Sequence, residues 1–255
     1  MALTTETLLL SVAMASAAGL VGAFAVMRRM ALASDALSHV ALPGIGLALA
    51  FHVHPLVGGI AALGLGALLI WSLEYHTQMS TETIIGVVFS AALAAGSMMA
   101  TGEELLDALL GAPGTLSRTE TTLGLIAALG IVVFVLTQKA RLVMAVVSAD
   151  LARTSGVRVG GLEFAFLLAF ALTVSLGLRY LGVLLMGSLI IIPAATAKHV
   201  ARSLDGMLAT SVLLAIVSTV SGEAIASRFQ RSSGPVIIVV AAALFFASLL
   251  LRRRR

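Results

Sequence analysis

The sequence predicts an all-α, polytopic transmembrane bundle of about eight to nine spanning helices, and three observations carry that prediction. Of its 255 residues 60% are hydrophobic and only 11% charged, less than half the charge of an ordinary soluble domain. Apolar runs approaching the ~20 residues that cross ~30 Å of hydrocarbon recur along the whole chain. The basic residues gather in the short segments between those runs, as membrane orientation requires. The same composition excludes other classes. Cysteine is absent, so disulfides, thiolate metal sites and cysteine nucleophiles drop out, and Lys and Arg confined to short loops and a terminal Arg run suit membrane orientation better than binding of DNA or RNA.

The first run, residues 8–27, is preceded by Glu6 and followed by Arg28 and Arg29. That charge order is the reverse of a secretory signal, so the run reads as a retained span. Ala15, Gly19 and Ala23 form one stripe on it, with Ala18 and Gly22 beside them; small residues at this spacing let helices approach closely in lipid. Further runs follow at residues 36–51, 55–73, 83–101, 121–138, 164–178, 180–197, 206–222 and 232–251. The run at 164–178 is short, and a partial or re-entrant helix is the alternative there.

With the N-terminus outside and nine crossings, the inside segments hold Arg28, Arg29, Lys139, Arg141, Arg153, Arg158, Lys198, Arg202 and Arg252 to Arg255. The outside segments hold only Arg118, Arg179, Arg228 and Arg231. The asymmetry follows the positive-inside rule and puts the C-terminus in the cytoplasm. Glu103, Glu104 and Asp107 fall in an outer loop before Pro113 and Gly114, where acidic residues influence topology little. There is no internal repeat, low-complexity segment or long linker, so residues 1–255 read as one domain.

Ionisable residues that interrupt apolar helices are costly, and so are informative. Asp35 and His39 stand four residues apart within SDALSHVALPG at the start of the second run. On a helix that spacing brings both side chains to one face. A carboxylate and an imidazole on adjacent turns can hold one divalent transition ion, and zinc and manganese accept both ligand types. A closed structural site uses four protein ligands; two, completed by water or by another helix, describe a station that an ion can leave. Pro43 lacks an N–H and frees the carbonyl of His39 from its usual helical partner, which suits a helix bordering a wet pathway. The plainer alternative is an Asp–His hydrogen bond beside an ordinary proline kink.

His52 and His54 flank the expected outer mouth, and Glu223 lies just beyond the eighth run, where it could line an outer vestibule. All three are secondary candidates for an ion path, with solvated loop side chains as the alternative. His76 and His199 fall in inside loops, and Pro193 frees the carbonyl of Leu189 as Pro43 frees that of His39.

The chain has only two lysines, Lys139 and Lys198, and neither completes a GxxxxGK[ST] phosphate loop. If ATP drives this protein, another chain binds it. The longest inside loop, 139–161, contains SADLARTSG at 148–156. Ser148 suits an N-cap, Asp150 a first turn and Gly156 a C-terminal cap, so a helix of about two turns is expected there. It could lie on a partner.

The sequence resembles the permease subunits of the bacterial ABC importers for zinc, manganese and iron. The resemblance is carried by GAFAVMRRM at 22–30 leading into SDALSHVALPG, TIIGVVFS at 83–90, LLGAPG at 109–114, VSADLARTSGV at 147–157, LGVLLMGSLIIIPAATA at 181–197 and SGPVIIV at 233–239. It implies a multi-pass protein of the bacterial inner membrane, working as a homodimer or a pair of like permeases. Two cytoplasmic ATPase subunits and an extracytoplasmic metal-binding protein would be its partners. It implies Asp35 and His39 as metal contacts, and Ser148, Asp150, Ala152 and Gly156 as part of the ATPase-coupling segment. No permanently bound cofactor is implied; zinc, manganese or iron would be cargo. Ser34 stands where Gly is common, and VFSAA carries no histidine where some zinc-type members have one. Two other classes remain as alternatives. An ion-coupled secondary carrier would work without an ATPase, and a membrane metallohydrolase would need an HExxH-type helix that the chain lacks.

Overall fold

The computed structural model describes residues 5–53, 55–77, 79–99, 117–180 and 183–252. The acidic stretch at 103–107, Pro113-Gly114 and His54 therefore lie outside the described residues. Ten helices occur among the described residues: α1 Thr5–Met27, α2 Ala31–Ala50, α3 Pro55–His76, α4 Thr81–Met99, α5 Arg118–Val147, α6 Ala149–Thr154, α7 Val159–Tyr180, α8 Val183–Val200, α9 Leu204–Phe229 and α10 Ser233–Arg252. All except α6 are long. Seven are long and apolar enough to cross a membrane, and α2 and α8 contribute the shorter apolar stretches Ala36–Ala50 and Met186–Val200. The nine long helices correspond one to one with the nine apolar runs.

One of them removes an alternative and another corrects the sequence reading. α7 starts at Val159 and spans 22 residues, so the short run at 164–178 is the apolar part of a full-length helix. α5 spans 30 residues, about 45 Å at 1.5 Å per residue, and continues through Lys139 and Arg141 to Val147. The expected loop at 139–161 is thus helical over most of its length.

α1 and α2 form the interior. α1 is enclosed by α5, α7, α8 and α9, while α2 is enclosed by α3, α4, α7 and α8. Ala15, Ala17, Ala18 and Ala23 of α1 are fully buried. Its small-residue stripe serves packing within the chain: a Cβ on Gly22 would lie 2.0 Å from the Ile190 carbonyl oxygen, and one on Gly19 would lie 2.8 Å from Val212 Cα. Side chains at these positions would push α8 and α9 away. The exposed leucines, isoleucines and valines of α3, α5 and α10 make the outer surface, as in a bundle whose solvent is lipid.

The helix ends are fixed by local chemistry. Ser117 and Glu120 close a capping box at the start of α5, with Glu120 N–H donating to Ser117 Oγ at 3.1 Å and Ser117 N–H to Glu120 Oε2 at 2.9 Å. Ser203 caps α9 by accepting from Gly206 N–H at 3.1 Å. The turn between α1 and α2 holds Arg29 at φ 59, with Met30 N–H returning to Ala25 O at 2.8 Å. This is the left-handed helix ending that usually takes glycine.

Candidate functional site

α2 is anchored differently on each of its sides. Ser34 and Ser38 are fully buried; Ser34 Oγ donates to Gly187 O of α8 at 3.3 Å, and Ser38 Oγ donates to Ser34 O at 2.7 Å. Gly44 meets Gly58 of α3 backbone to backbone, since a Cβ on Gly44 would lie 2.2 Å from Gly58 O. His39 turns to α4, where its half-buried ring lies 5.2 Å from that of Phe89 at an interplanar angle of 66°. One turn further on, Leu42 and Pro43 close over Gly96 of the same helix, and α2 runs unbroken through Pro43. Asp35 belongs to α2 one turn before His39, and on a helix four residues apart is one face.

Of the secondary candidates, His52 and Glu223 do not join this pair. His52 is exposed beyond the C-terminal end of α2, with φ 55. Thirteen positions separate it from His39, about 20 Å of helix rise. Glu223 is not in a loop: it stands inside α9, six residues before the helix ends, and Ser11 Oγ of α1 donates to its Oε1 at 2.6 Å. Glu223 is therefore a contact between α1 and α9 near the end of the bundle opposite α6. Among the described residues no three His, Asp or Glu side chains gather as a metal cluster.

The segment at 148–156 forms as its residue types dictate. Ser148 Oγ accepts from Leu151 N–H at 3.2 Å, and Asp150 lies in the first turn of α6. Gly156 has φ +80; its N–H returns to Arg153 O and Val157 N–H to Ala152 O, both at 3.0 Å. These paired bonds are the Schellman ending, which needs a residue in the left-handed region at the glycine position. Ala152 is fully buried while Leu151 is 55% exposed, so α6 sits on the bundle by one face and offers the other outward.

Next to α6 lies a charged cluster that the sequence did not reveal. Arg28, at the end of α1, is 12% exposed and its Nη2 is 3.7 Å from Glu163 Oε1 of α7. Its guanidinium stands 5.2 Å from the centre of the Phe166 ring, a cation–π distance. Burial pulls Arg28 below its ordinary pKa, while the Glu163 and Glu74 carboxylates push it back up. Thr81 donates to Glu74. Trp71 of α3 donates to Gly160 O at 2.9 Å and packs against Phe164 at 5.2 Å. The ends of α1, α3, α4 and α7 are thereby joined beside α6.

The ABC 3 transport family matches residues 1–252. The membrane protein ZnuB of the high-affinity zinc uptake system of Haemophilus influenzae is 28% identical over 225 residues, 85% of this chain and 85% of its own. MntC, the membrane protein of a manganese transport system of Halalkalibacterium halodurans, is 26% identical over 224 residues, 86% of this chain and 77% of its own. The structure of PsaBC from Streptococcus pneumoniae in complex with Fab superposes with a TM-score of 0.81 at 26% identity, covering 95% of this chain and 89% of that one.

Proposed function

Because the chain belongs to the ABC 3 transport family, we propose that it is the permease of an ABC importer that carries divalent transition-metal ions, zinc or manganese and also iron, driven by a separate ATPase subunit. The match along residues 1–252 is the observation that carries this reading. The relatives described as zinc and manganese transport proteins align over most of their own length, so the whole permease is comparable. Residues 1–255 act as one domain in the bacterial inner membrane, with the N-terminus outside and the α6 end in the cytoplasm. A second copy of the permease, a cytoplasmic ATPase and an extracytoplasmic metal-binding protein complete the importer.

Asp35 and His39 are the metal contacts. A doubly charged ion loses much of its hydration on entering ~30 Å of hydrocarbon, and a carboxylate supplies the opposing charge that makes the passage affordable. The imidazole adds a borderline ligand shared by zinc, manganese and iron. Two ligands leave the remaining coordination positions to water or to a second copy, so the ion can be released. Support comes from the half-buried setting of His39 between α2 and α4, with Asp35 in the same helix one turn away. The ATPase docks on α6, and Leu151, Asp150 and Arg153 are exposed for that contact.

The test is metal uptake by vesicles containing the permease with its ATPase and delivering protein. Asp35→Asn and His39→Ala should each abolish uptake while the complex still assembles. Normal uptake in both variants would defeat the site assignment, and full uptake without any ATPase would defeat the importer reading.

A further inference from the structure

We infer that Arg28 and Glu163 form the positioning link through which movement of α6 reaches the helix carrying Asp35 and His39. The inference rests on the permease reading and adds a residue pair to it. On one side, α6 ends in the closed Schellman turn at Gly156, and only residues 155–158 separate it from α7. Leu162 N–H already bonds back to Arg158 O at 3.0 Å, so a displacement of α6 has little slack to absorb it before Glu163. On the other side, Arg28 precedes α2 by two residues, through a turn fixed by left-handed Arg29 and by Met30 N–H bonded to Ala25 O. α2 begins at Ala31 and reaches Asp35 in its second turn.

The pair itself is loosely joined. At 3.7 Å it is an ion pair without a hydrogen bond. Arg28 Nε and Nη2 are buried and meet no hydrogen-bond acceptor among the described residues. The guanidinium is held by the nearby carboxylates and by the Phe166 ring, neither of which demands one geometry as a two-bond fork would. Unused donors on a buried cation are costly, and that cost falls in any arrangement where the fork closes on Glu163 or on Glu74, whose charge the guanidinium also feels. Glu74 is bonded by Thr81 at the start of α4, the helix against which His39 packs. Two carboxylates on different helices competing for one guanidinium make a two-position element of the kind a docked partner can bias.

The experiment uses vesicles containing the permease, its ATPase and the delivering protein, with ATP hydrolysis and radiolabelled zinc uptake measured on the same sample. Glu163→Gln and Arg28→Gln are expected to assemble and hydrolyse ATP, but to move at least about fivefold less metal per ATP, the lower end of ordinary coupling between sites. The exchange variant Arg28→Glu with Glu163→Arg should recover more coupling than either charge reversal alone, an outcome that a loss of folding would not give. The link is overturned if both glutamine variants keep the wild-type ratio, or if uptake falls only in proportion to the complex assembled. A wild-type complex in which ATP moves no metal would overturn the permease reading and the link together, whereas a coupled wild type with equally coupled variants overturns the link alone.

Discussion

The contact between Gly44 and Gly58 fixes the site helix against α3, and it makes a prediction whose sign differs between two positions of one helix. A Cβ on Gly58 would lie 2.1 Å from Gly44 O and 2.6 Å from Ala48 Cβ, against an ordinary carbon contact of about 3.5 to 4.0 Å. The obstacle is backbone, which no rotamer change moves, so α2 and α3 must separate by more than about 1 Å. Overpacking of this kind costs about 3 kcal/mol at the upper end of its range, and the Gly-to-Ala gain in helix propensity offsets about 1 kcal/mol. A net loss of about 2 kcal/mol lowers a melting midpoint by ~4 to 8 °C for a chain of this size. Gly64, on the same helix, has nothing within 4 Å of a built Cβ, so Gly64→Ala should hold or raise the midpoint. Gly44→Ala should resemble Gly58→Ala, and the double variant should lose less than the two losses added, because the helices part only once. Thermal unfolding followed by circular dichroism in detergent measures all four. Uptake should also fall in Gly44→Ala well below its melting midpoint, since α2 carries Asp35 and His39. If Gly58→Ala and Gly64→Ala shift the midpoint equally and in the same direction, the α2–α3 contact is not the one described.

Two more predictions concern the ends of the bundle. Ser148→Ala removes the bond to Leu151 N–H that starts α6, a loss of about 1 kcal/mol; ATPase binding to the permease should weaken by about fivefold, measured by titration of the purified subunits. The chain has no cysteine, so single thiols report sidedness without background. A membrane-impermeant maleimide added to intact cells should label Ser232→Cys, whereas Leu151→Cys should react only after the membrane is opened; labelling of Leu151→Cys in intact cells would reverse the proposed orientation.

The sequence was readable where structure is local. The nine apolar runs became nine long helices, because burying a helix in lipid requires little beyond an uninterrupted apolar stretch. α6 was readable to its caps, since Ser148 and Gly156 act on backbone groups within three to five positions of themselves. Failures came where a charge was taken as the edge of a span. Glu163 sits in the second turn of α7, where Arg28 meets it from the turn after α1, and no spacing in the sequence announces a partner 135 positions away. Glu223 lies within α9 because Ser11, 212 positions distant, bonds to it. Lys139 and Arg141 were assigned to a loop, but a helix of about 45 Å outruns the ~30 Å hydrocarbon, and its continuation carries charge freely; Lys139 there donates to Asp205 at the start of α9 at 2.6 Å.

The candidate site shows the same division. The Asp35–His39 spacing could be read because it belongs to one helix, but the neighbour of His39 could not, because Phe89 comes from α4. That neighbour bears on how the site can move. Towards α3 the site helix is held by backbone against backbone at Gly44 and Gly58, a contact that cannot shift without opening the pair. Towards α4 the neighbour of His39 itself is the Phe89 ring, an aromatic side chain that can turn at modest cost, while Leu42 Cβ and the Pro43 ring lie over Gly96 one turn further on. His39 therefore stands with a rigid wall on one flank and a compliant one on the other. Motion delivered at the α1–α2 turn would swing α2 together with α3 and change its distance to α4. A change in the His39–Phe89 contact, rather than in Gly44–Gly58, is the expected mark of the site opening and closing.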